Sequence, residues 1–279
     1  MDFFAQVENL RWDASINMEN PPRSRIIPKD IFSFSLLPIT NELDQSGVTG
    51  SFSSSGIRSV IVAARMDFEP SEAGQKLSPR RKLYTETYFT DPDTARFISG
   101  VRSFTGSNFP LSAMNVNTQV LSHVSLMKAV RASIAEPLLT SPPLVDDRYY
   151  MGAAADLNPI YLARALADEV IARKPTEFNN FFEAPGIEAV FGFDPNQVSR
   201  KVSEAGVDRW IDVPEGTYPS LSPDAQLNIW GAIHSFNPAR IVKFASLVPD
   251  TYEGYLEVFD AQYATAYKGA YTAGSSHHP

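Results

Sequence analysis

Two short runs of residues carry the hydrophobic patterns of β-strands. Residues 59–64 (SVIVAA) form a short, β-branched and almost continuously apolar run, which is typical of a strand buried on both faces of a mostly parallel sheet. Residues 83–89 (LYTETYF) mix aromatic and β-branched residues with polar ones, a pattern that favours an edge strand or an antiparallel strand. Together the two runs predict a mixed sheet.

Helix signals follow these strands. Asp91 and Pro92 predict the cap and first turn of a short helix, with a loop from Gly100 to about residue 119. Apolar residues recur at helical spacing from residue 122 until Pro137 ends the pattern. Pro159 predicts the start of another helix, and a buried strand is expected at residues 170–172. This order predicts an α/β fold with a mixed, largely parallel sheet flanked by helices.

The pattern also divides the chain into three parts. Residues 1–56 lack a sustained period and predict an irregular N-terminal arm, residues 57–175 an α/β core, and residues 176–279 a helical C-terminal extension packed on the core. The helices expected in this last part are residues 196–205, 223–236, 238–247 and 252–271. In the final helix, aromatic residues recur at spacings of three and four, which predicts either a core-facing stripe or a surface for a partner or lipid: Tyr252, Tyr255, Phe259 and Tyr263.

Composition removes several classes of function. The net charge of −8 is spread along the chain, which argues against nucleic-acid binding because phosphate contact needs clustered Lys and Arg. The absence of cysteine excludes disulfides, thiolate zinc sites and a cysteine nucleophile. No apolar run reaches about 18 residues and the amino terminus does not resemble a secretory signal, so the expected location is cytoplasmic, with any membrane contact peripheral.

One block of the chain resembles a known family. Residues 129–137 (AVRASIAEP), the prolines at 142–143, residues 146–150 (DDRYY) and Asn158-Pro159 occur in the order of the second conserved block of patatin-like phospholipases. That family writes the block as a helix ending in A-S-x-A-x-P, a proline-rich turn, a D-G-x-x-Y strand, an Asp-Gly-Gly turn and an N-x-P helix start. The similarity continues through residues 162–172 and covers about 50 residues, which correspond to the carboxyl-terminal half of the family's domain.

The resemblance implies an α/β sheet flanked by helices and, in active members, a Ser-Asp dyad that hydrolyses acyl esters of lipids. The serine stands in G-x-S-x-G and the aspartate in the Asp-Gly-Gly turn. This chain has no G-x-S-x-G, and the nearest stretch, residues 50–56 (GSFSSSG), has the wrong glycine spacing. The Asp-Gly-Gly turn aligns with Gly152, Ala153 and Ala154, so glycine stands at the catalytic position. Asp156 is the nearest alternative base, but its place just before the helix that Pro159 opens favours a helix-cap or surface role.

The remaining polar candidates predict structural roles. His123 and His234 have no second ligand at a metal-like spacing, so no metal site is expected, and no cofactor motif occurs. Asp146 and Asp147 cannot act on one substrate from one strand, because adjacent strand residues point to opposite faces, and a turn is the simpler interpretation.

The sequence therefore predicts a patatin-like homologue that is catalytically silent and acts as a binding or assembly subunit. A second interpretation is one part of a split or processed patatin-like phospholipase, whose missing half supplies the serine and the oxyanion donors. A third is a structural subunit paired with an active homologue. The expected partners are another patatin-like chain, in a homo- or hetero-oligomer, or a lipid or membrane surface, and not nucleic acid.

Overall fold

The structure is a computed structural model, and most of the described residues belong to one central region. It describes residues 25–27, 29, 31–32, 51–52, 56–135, 140–152, 159–174, 177–178, 180 and 183–211, and single positions at 257, 264, 267–268, 271–272 and 275. The predicted helices at 223–236 and 238–247, His234 and most of the predicted arm lie outside these residues.

A five-stranded sheet forms the centre of the fold. Its strands are β2 (Ile61–Met66), β4 (Tyr84–Phe89), β5 (Gln119–Leu121), β6 (Leu144–Val145) and β7 (Arg148–Met151), in the order β5-β4-β2-β7-β6. Only the β4–β5 pair is parallel, whereas β2–β4, β2–β7 and β6–β7 are antiparallel. The fold is mixed α/β as predicted, but the prediction of a largely parallel sheet is wrong.

Connection lengths explain the strand directions. The chain between β2 and β4 holds no long helix, only a short 3₁₀ turn at Pro70–Glu72 and the two-residue strand β3 (Lys76–Leu77), so it returns alongside β2 as an antiparallel neighbour. Two helices, α1 (Pro92–Ile98) and α2 (Phe104–Asn108), separate β4 from β5 and carry the chain back for the one parallel pairing. β3 itself pairs antiparallel with β1 (Arg25–Ile26), a part of the predicted arm.

β4 lies inside the sheet and not at its edge. Each of its six residues is buried, because β2 flanks it on one side and β5 on the other. The prediction of an antiparallel strand here is confirmed by its pairing with β2, whereas the edge alternative is wrong. A buried strand must place its polar residues, Thr85, Glu86 and Thr87, inside the protein.

Helices cover both faces of the sheet. Helix α3 (Leu126–Ser133) packs on β2 over a core cluster that includes Ala63, Phe89, Leu121 and Tyr150, and we name this side the α3 face. On the opposite side, named the α1 face, Tyr88 packs with Ile98 of α1 and Leu162 of α4 (Ile160–Leu166). Burial of these apolar residues on two faces gives the region its core.

Capping signals located several helices correctly. Asp91 accepts hydrogen bonds from the backbone N–H groups of Asp93 and Thr94 and begins α1 as predicted. Asp194 likewise caps α6 (Pro195–Glu204), which confirms the helix expected at 196–205, and α4 begins directly after Pro159. Helix α5 (Glu183–Phe191) precedes α6, and α2 falls in the stretch that was predicted to be a loop.

The strand predicted at 170–172 differs from the expectation. Strand β8 (Ile171–Arg173) leaves Ile171 44% exposed and, among the described strands, pairs in parallel with β9 (Arg209–Ile211) in a separate two-stranded sheet. It is therefore not a buried strand of the central sheet. The chain divides into two compact units, residues 1–170 with 177–207, and residues 171–176 with 208–279.

Two further expectations concern surfaces. Among the described helices, none is long and apolar enough to cross a membrane. Tyr267 and Tyr271, within the helix predicted at 252–271, are helical, 62% and 68% exposed, and their rings are stacked with centroids 6.3 Å apart. These two side chains are on the surface, whereas Tyr252, Tyr255, Phe259 and Tyr263 lie outside the described residues.

Candidate functional site

The position aligned with the catalytic aspartate is closed by backbone. Gly152 directly follows β7 in a buried position, and its N–H donates to the Ala135 carbonyl oxygen at 2.8 Å. A Cβ atom added to Gly152 would lie 2.0 Å from the Ser133 carbonyl oxygen, far inside van der Waals contact. Glycine is therefore the residue that fits this backbone. Ala153, Ala154 and Asp156 lie outside the described residues.

The block that resembles the patatin-like family packs as one unit around Gly152. Arg131 of α3 is buried, and its Nη2 donates to the Ser141 carbonyl oxygen at 2.5 Å. This bond ties α3 to the proline-containing segment before β6. The carbonyl oxygens of Ser133 and Ala135 face Gly152 at the other end of the block. Arg131 and Ser133 thus have structural contacts in the structure.

Asp146 and Asp147 form the turn of the β6–β7 hairpin. Both have positive φ angles, 48° and 59°, the left-handed conformation that two-residue hairpin turns require. The prediction of a turn is confirmed. Asp146 Oδ2 lies 2.6 Å from Nε2 of His123, and the two side chains are 52% and 64% exposed. His123 is thus a surface histidine, and the described residues contain no group of three metal-ligating side chains.

The serine-rich stretch at 50–56 is described only at its two ends. Ser51 is exposed, Phe52 is buried in the core of the α3 face, and Gly56 has a φ of +67° with open space around it. The serines at positions 53–55 lie outside the described residues. Phe52 therefore anchors this stretch by apolar burial.

A network of polar side chains, not predicted from the sequence, lies beside the core of the α3 face. We define the polar network as Arg65, Asp67, Thr85, Asn115 and Gln119. Arg65 donates through Nε to Asp67 Oδ1 at 2.7 Å and through Nη1 to Gln119 Oε1 at 2.6 Å.

The carboxylate of Asp67 is the centre of this network. Besides Arg65, two groups donate to this carboxylate: the Thr85 hydroxyl, and Asn115 Nδ2 at 2.9 Å. Asn115 Nδ2 also lies 2.8 Å from Thr85 Oγ1. Arg65 and Asp67 are 27% and 20% exposed, so this ion pair is only partly screened by water. The network therefore holds the ends of β2, β4 and β5 together through charged hydrogen bonds.

Strand alternation places the network on the α3 face. In β2, Arg65 follows Ala63 by two residues and therefore lies on the same face. In β4, Thr85 and Thr87 lie on the face that carries Phe89. One half of the α3 face is therefore apolar and the other half polar. Tyr150 lies opposite Arg65 in the register. Burial raises the pKa of its hydroxyl, and the Arg65 charge and the Thr87 hydroxyl act in the opposite direction.

The hydroxyl of Thr85 donating to a carboxylate has the form of a nucleophile and its base. Thr85 is only 6% exposed, since it lies within β4 between two neighbouring strands. An attacking oxygen must come within about 3 to 3.5 Å of a substrate carbonyl carbon. Thr85 is therefore enclosed in the sheet, and the hydrogen bond that the structure gives its hydroxyl as a donor is the one to Asp67.

The sequence contains a partial signal for the network. Arg65 and Asp67 are two residues apart in an extended segment, which places them on one side, and Thr85 and Thr87 repeat this spacing. The other two partners of Arg65, Thr85 and Gln119, are 20 and 54 residues away along the chain, so their contact with Arg65 depends on strand pairing. No family model, curated protein or solved structure matches this chain.

Proposed function

We propose that this chain is a catalytically silent relative of the patatin-like lipid acyl hydrolases that acts by binding or assembly. One observation carries the proposal: the position aligned with the family's aspartate is Gly152, and the Ser133 carbonyl oxygen leaves no room there for a side chain. A serine hydroxyl is a poor nucleophile without a base to take its proton. Loss of that base costs orders of magnitude in rate.

The spatial order of the block supports the family part of the proposal. The elements of this block follow one another in the order in which the family's block is written: helix α3, the segment with Pro142 and Pro143, the β6–β7 hairpin, Gly152 and helix α4. The hydrogen bonds of Arg131 and Gly152 hold the elements before α4 together. The antiparallel pairings of the sheet add no support. The proposal therefore depends on residues 129–166 and on their packing around Gly152.

A surface patch supports the binding part of the proposal. Ile57 and Phe97 are 71% and 53% exposed, and the guanidinium of Arg58 lies 3.8 Å from the centre of the Phe97 ring. Arginine and aromatic residues are enriched in protein interfaces, so the contact of Arg58 with Phe97 is a candidate for a partner surface. We propose another patatin-like chain as the partner for this patch.

A hydrolysis assay of the purified full chain tests the absence of activity. We expect no release of fatty acid from phosphatidylcholine vesicles and no release of nitrophenol from p-nitrophenyl butyrate beyond a buffer control. The variant Asp156→Asn tests the nearest alternative base, and Asp168→Asn, at an exposed aspartate beyond α4, is its matched control.

Hydrolysis by the native chain that disappears in Asp156→Asn and persists in Asp168→Asn would overturn the proposal. Hydrolysis that develops only when a second chain from the native source is added would favour the split-hydrolase interpretation instead. An inactive native chain with both variants equally inactive agrees with the proposal.

A further inference from the structure

A carboxyl group in β4, near the residue that caps α2, is buried and has no hydrogen-bonding partner in the part of the chain that the structure describes. Glu86 is 0% exposed in the middle of β4, and among the described residues neither of its carboxyl oxygens makes a hydrogen bond. Ala64 lies opposite Glu86 in the neighbouring strand and has no polar side chain to offer. Such burial of a polar group is costly, and carboxyl groups in this situation are often functional.

The nearby polar groups are hydroxyls at the start of α2 and on β4. The hydroxyls of Tyr88 and Ser103 are close enough to lower the pKa of the Glu86 carboxyl, although neither forms a hydrogen bond of normal geometry with it. Ser103 caps α2, because its hydroxyl oxygen accepts from the Gly106 N–H at 3.1 Å. Thr105, in the same helix, is also buried, and its hydroxyl has no hydrogen-bonding partner among the described residues. The carboxyl thus lies directly beneath the cap of α2.

The titratable groups around Glu86 in the described elements are tyrosines. Tyr84 and Tyr88 share its side of β4, and Tyr161 of α4 packs its ring against Phe104 and accepts from Asn108. Helix α2 contains no charged residue, and the facing residues of β2 are apolar. Charged residues of the neighbouring helices are exposed and interact elsewhere: Asp93 and Arg96 with each other, and Arg164 with the Asp168 and Gly206 carbonyl oxygens.

Burial therefore dominates the protonation of Glu86. It raises the pKa of the carboxyl above the ordinary glutamate value of 4.5, and the hydroxyls of Tyr88 and Ser103 lower it by less. The carboxyl remains neutral to higher pH than an exposed glutamate. Stability from this group is fully present below pH 4.5 and is lost as the pH rises through the folded-state pKa.

Helix α2 connects Glu86 to the polar network on the other face of the sheet. A Cβ atom on Gly106 would lie 2.2 Å from the Asn115 carbonyl oxygen, so α2 is in close contact with the segment that carries Asn115. The Ser103 N–H donates to the Val116 carbonyl oxygen at 2.9 Å and fixes the same two segments. These contacts join α2 to the segment whose Asn115 side chain hydrogen-bonds to both Asp67 and Thr85.

We propose that the protonation state of Glu86 controls the packing of α2, and we name this arrangement the latch. The neutral carboxyl keeps α2 packed on β4, whereas the ionised carboxylate releases residues 103–117 and opens the polar network. An anionic carboxylate cannot remain in this uncharged pocket and draws water or solvent-exposed cations towards it. The release of Asn115 then removes one donor from Asp67 and exposes the Arg65 end of the network. This inference concerns the opening of the polar network and does not depend on the proposed absence of hydrolysis.

Amide hydrogen exchange of the full chain across a pH series tests the latch. After correction for the intrinsic rate of exchange, protection of residues 103–117 in the native chain is expected to fall by up to about tenfold for each pH unit between the ordinary glutamate pKa of 4.5 and the raised pKa of the closed state, and to level off above it. Glu86→Gln keeps the shape of the side chain without the charge, and its protection should be independent of pH. Glu188→Gln is the matched control, because burial also raises the pKa of Glu188, but this residue lies in α5.

Each outcome decides the proposal. Protection in native residues 103–117 that does not change between pH 5 and pH 8 overturns it, and this measurement needs no variant. A Glu86→Gln chain that keeps the native pH dependence also overturns it. If Glu86→Gln does not fold, Glu86→Met provides the uncharged variant, and loss of pH dependence in Glu86→Met but not in Glu188→Gln supports the latch.

Discussion

Replacing Gly152 by alanine is expected to lower the free energy of unfolding by about 3 kcal/mol, the upper part of the usual range for overpacking. The added methyl would lie 2.0 Å from the Ser133 carbonyl oxygen, and the second nearest atom is the carbon of the same carbonyl at 2.9 Å. Backbone atoms cannot rotate away as a side chain can. Helix α3 must shift from β7 or the Gly152–Ala135 hydrogen bond must break. Urea denaturation followed by circular dichroism measures the effect.

Gly100 provides the control for this substitution. It has a φ of +84° and nothing within 4 Å of an added Cβ, so alanine there meets backbone strain of about 1 kcal/mol and no clash. If Gly152→Ala destabilises the protein no more than Gly100→Ala does, the close contact with Ser133 is wrong. An aspartate at position 152 would meet the same carbonyl oxygen, because its Cβ atom occupies the same place.

Replacing Asp67 by alanine is expected to lower the free energy of unfolding by about 2 kcal/mol. The change removes the acceptor for Arg65, Thr85 and Asn115 and leaves a partly buried guanidinium without its carboxylate. Removing one partner of a fully buried ion pair lowers the free energy of unfolding by about 3 to 5 kcal/mol. The expected loss is smaller here because Arg65 is 27% exposed and water screens its charge.

An exposed ion pair supplies the comparison for Asp67→Ala. Arg148 and Glu69 are 3.2 Å apart, with side chains 54% and 66% exposed, so Arg148→Ala is expected to cost no more than about 0.5 kcal/mol. Both variants are measured by the same urea titration. Equal effects of the two substitutions would show that the polar network contributes no more than a surface pair.

Local signals explain the part of the fold that the sequence predicted. Asp91-Pro92 and Asp194-Pro195 each combine a capping side chain with a proline in the first turn, and both helices begin there. Asp146 and Asp147 occupy a turn because their short side chains tolerate the left-handed conformation. These features depend on a few neighbouring residues, which a sequence displays directly.

Features that depend on distant residues were missed. The apolar run at 59–64 is compatible with either strand direction, and the short connection to β4 decided for antiparallel pairing. Helix α2 has only five residues, too few to show a hydrophobic period. The polar network joins residues up to 54 positions apart. The glycine at position 152 is visible in the sequence, but the reason that a side chain is excluded there, the position of the Ser133 carbonyl oxygen, is visible only in the structure.

The absence of an activated nucleophile is the central claim, and a fluorophosphonate probe tests it without knowledge of the substrate. An activated serine or threonine oxygen displaces fluoride from the probe and keeps the phosphonyl group, which increases the intact mass of the protein. With trypsin as the positive control, we expect the mass of this chain to remain unchanged. A single stoichiometric adduct, mapped to one of the serines at positions 51 and 53–55 or to Thr85, would show an activated nucleophile and contradict the account.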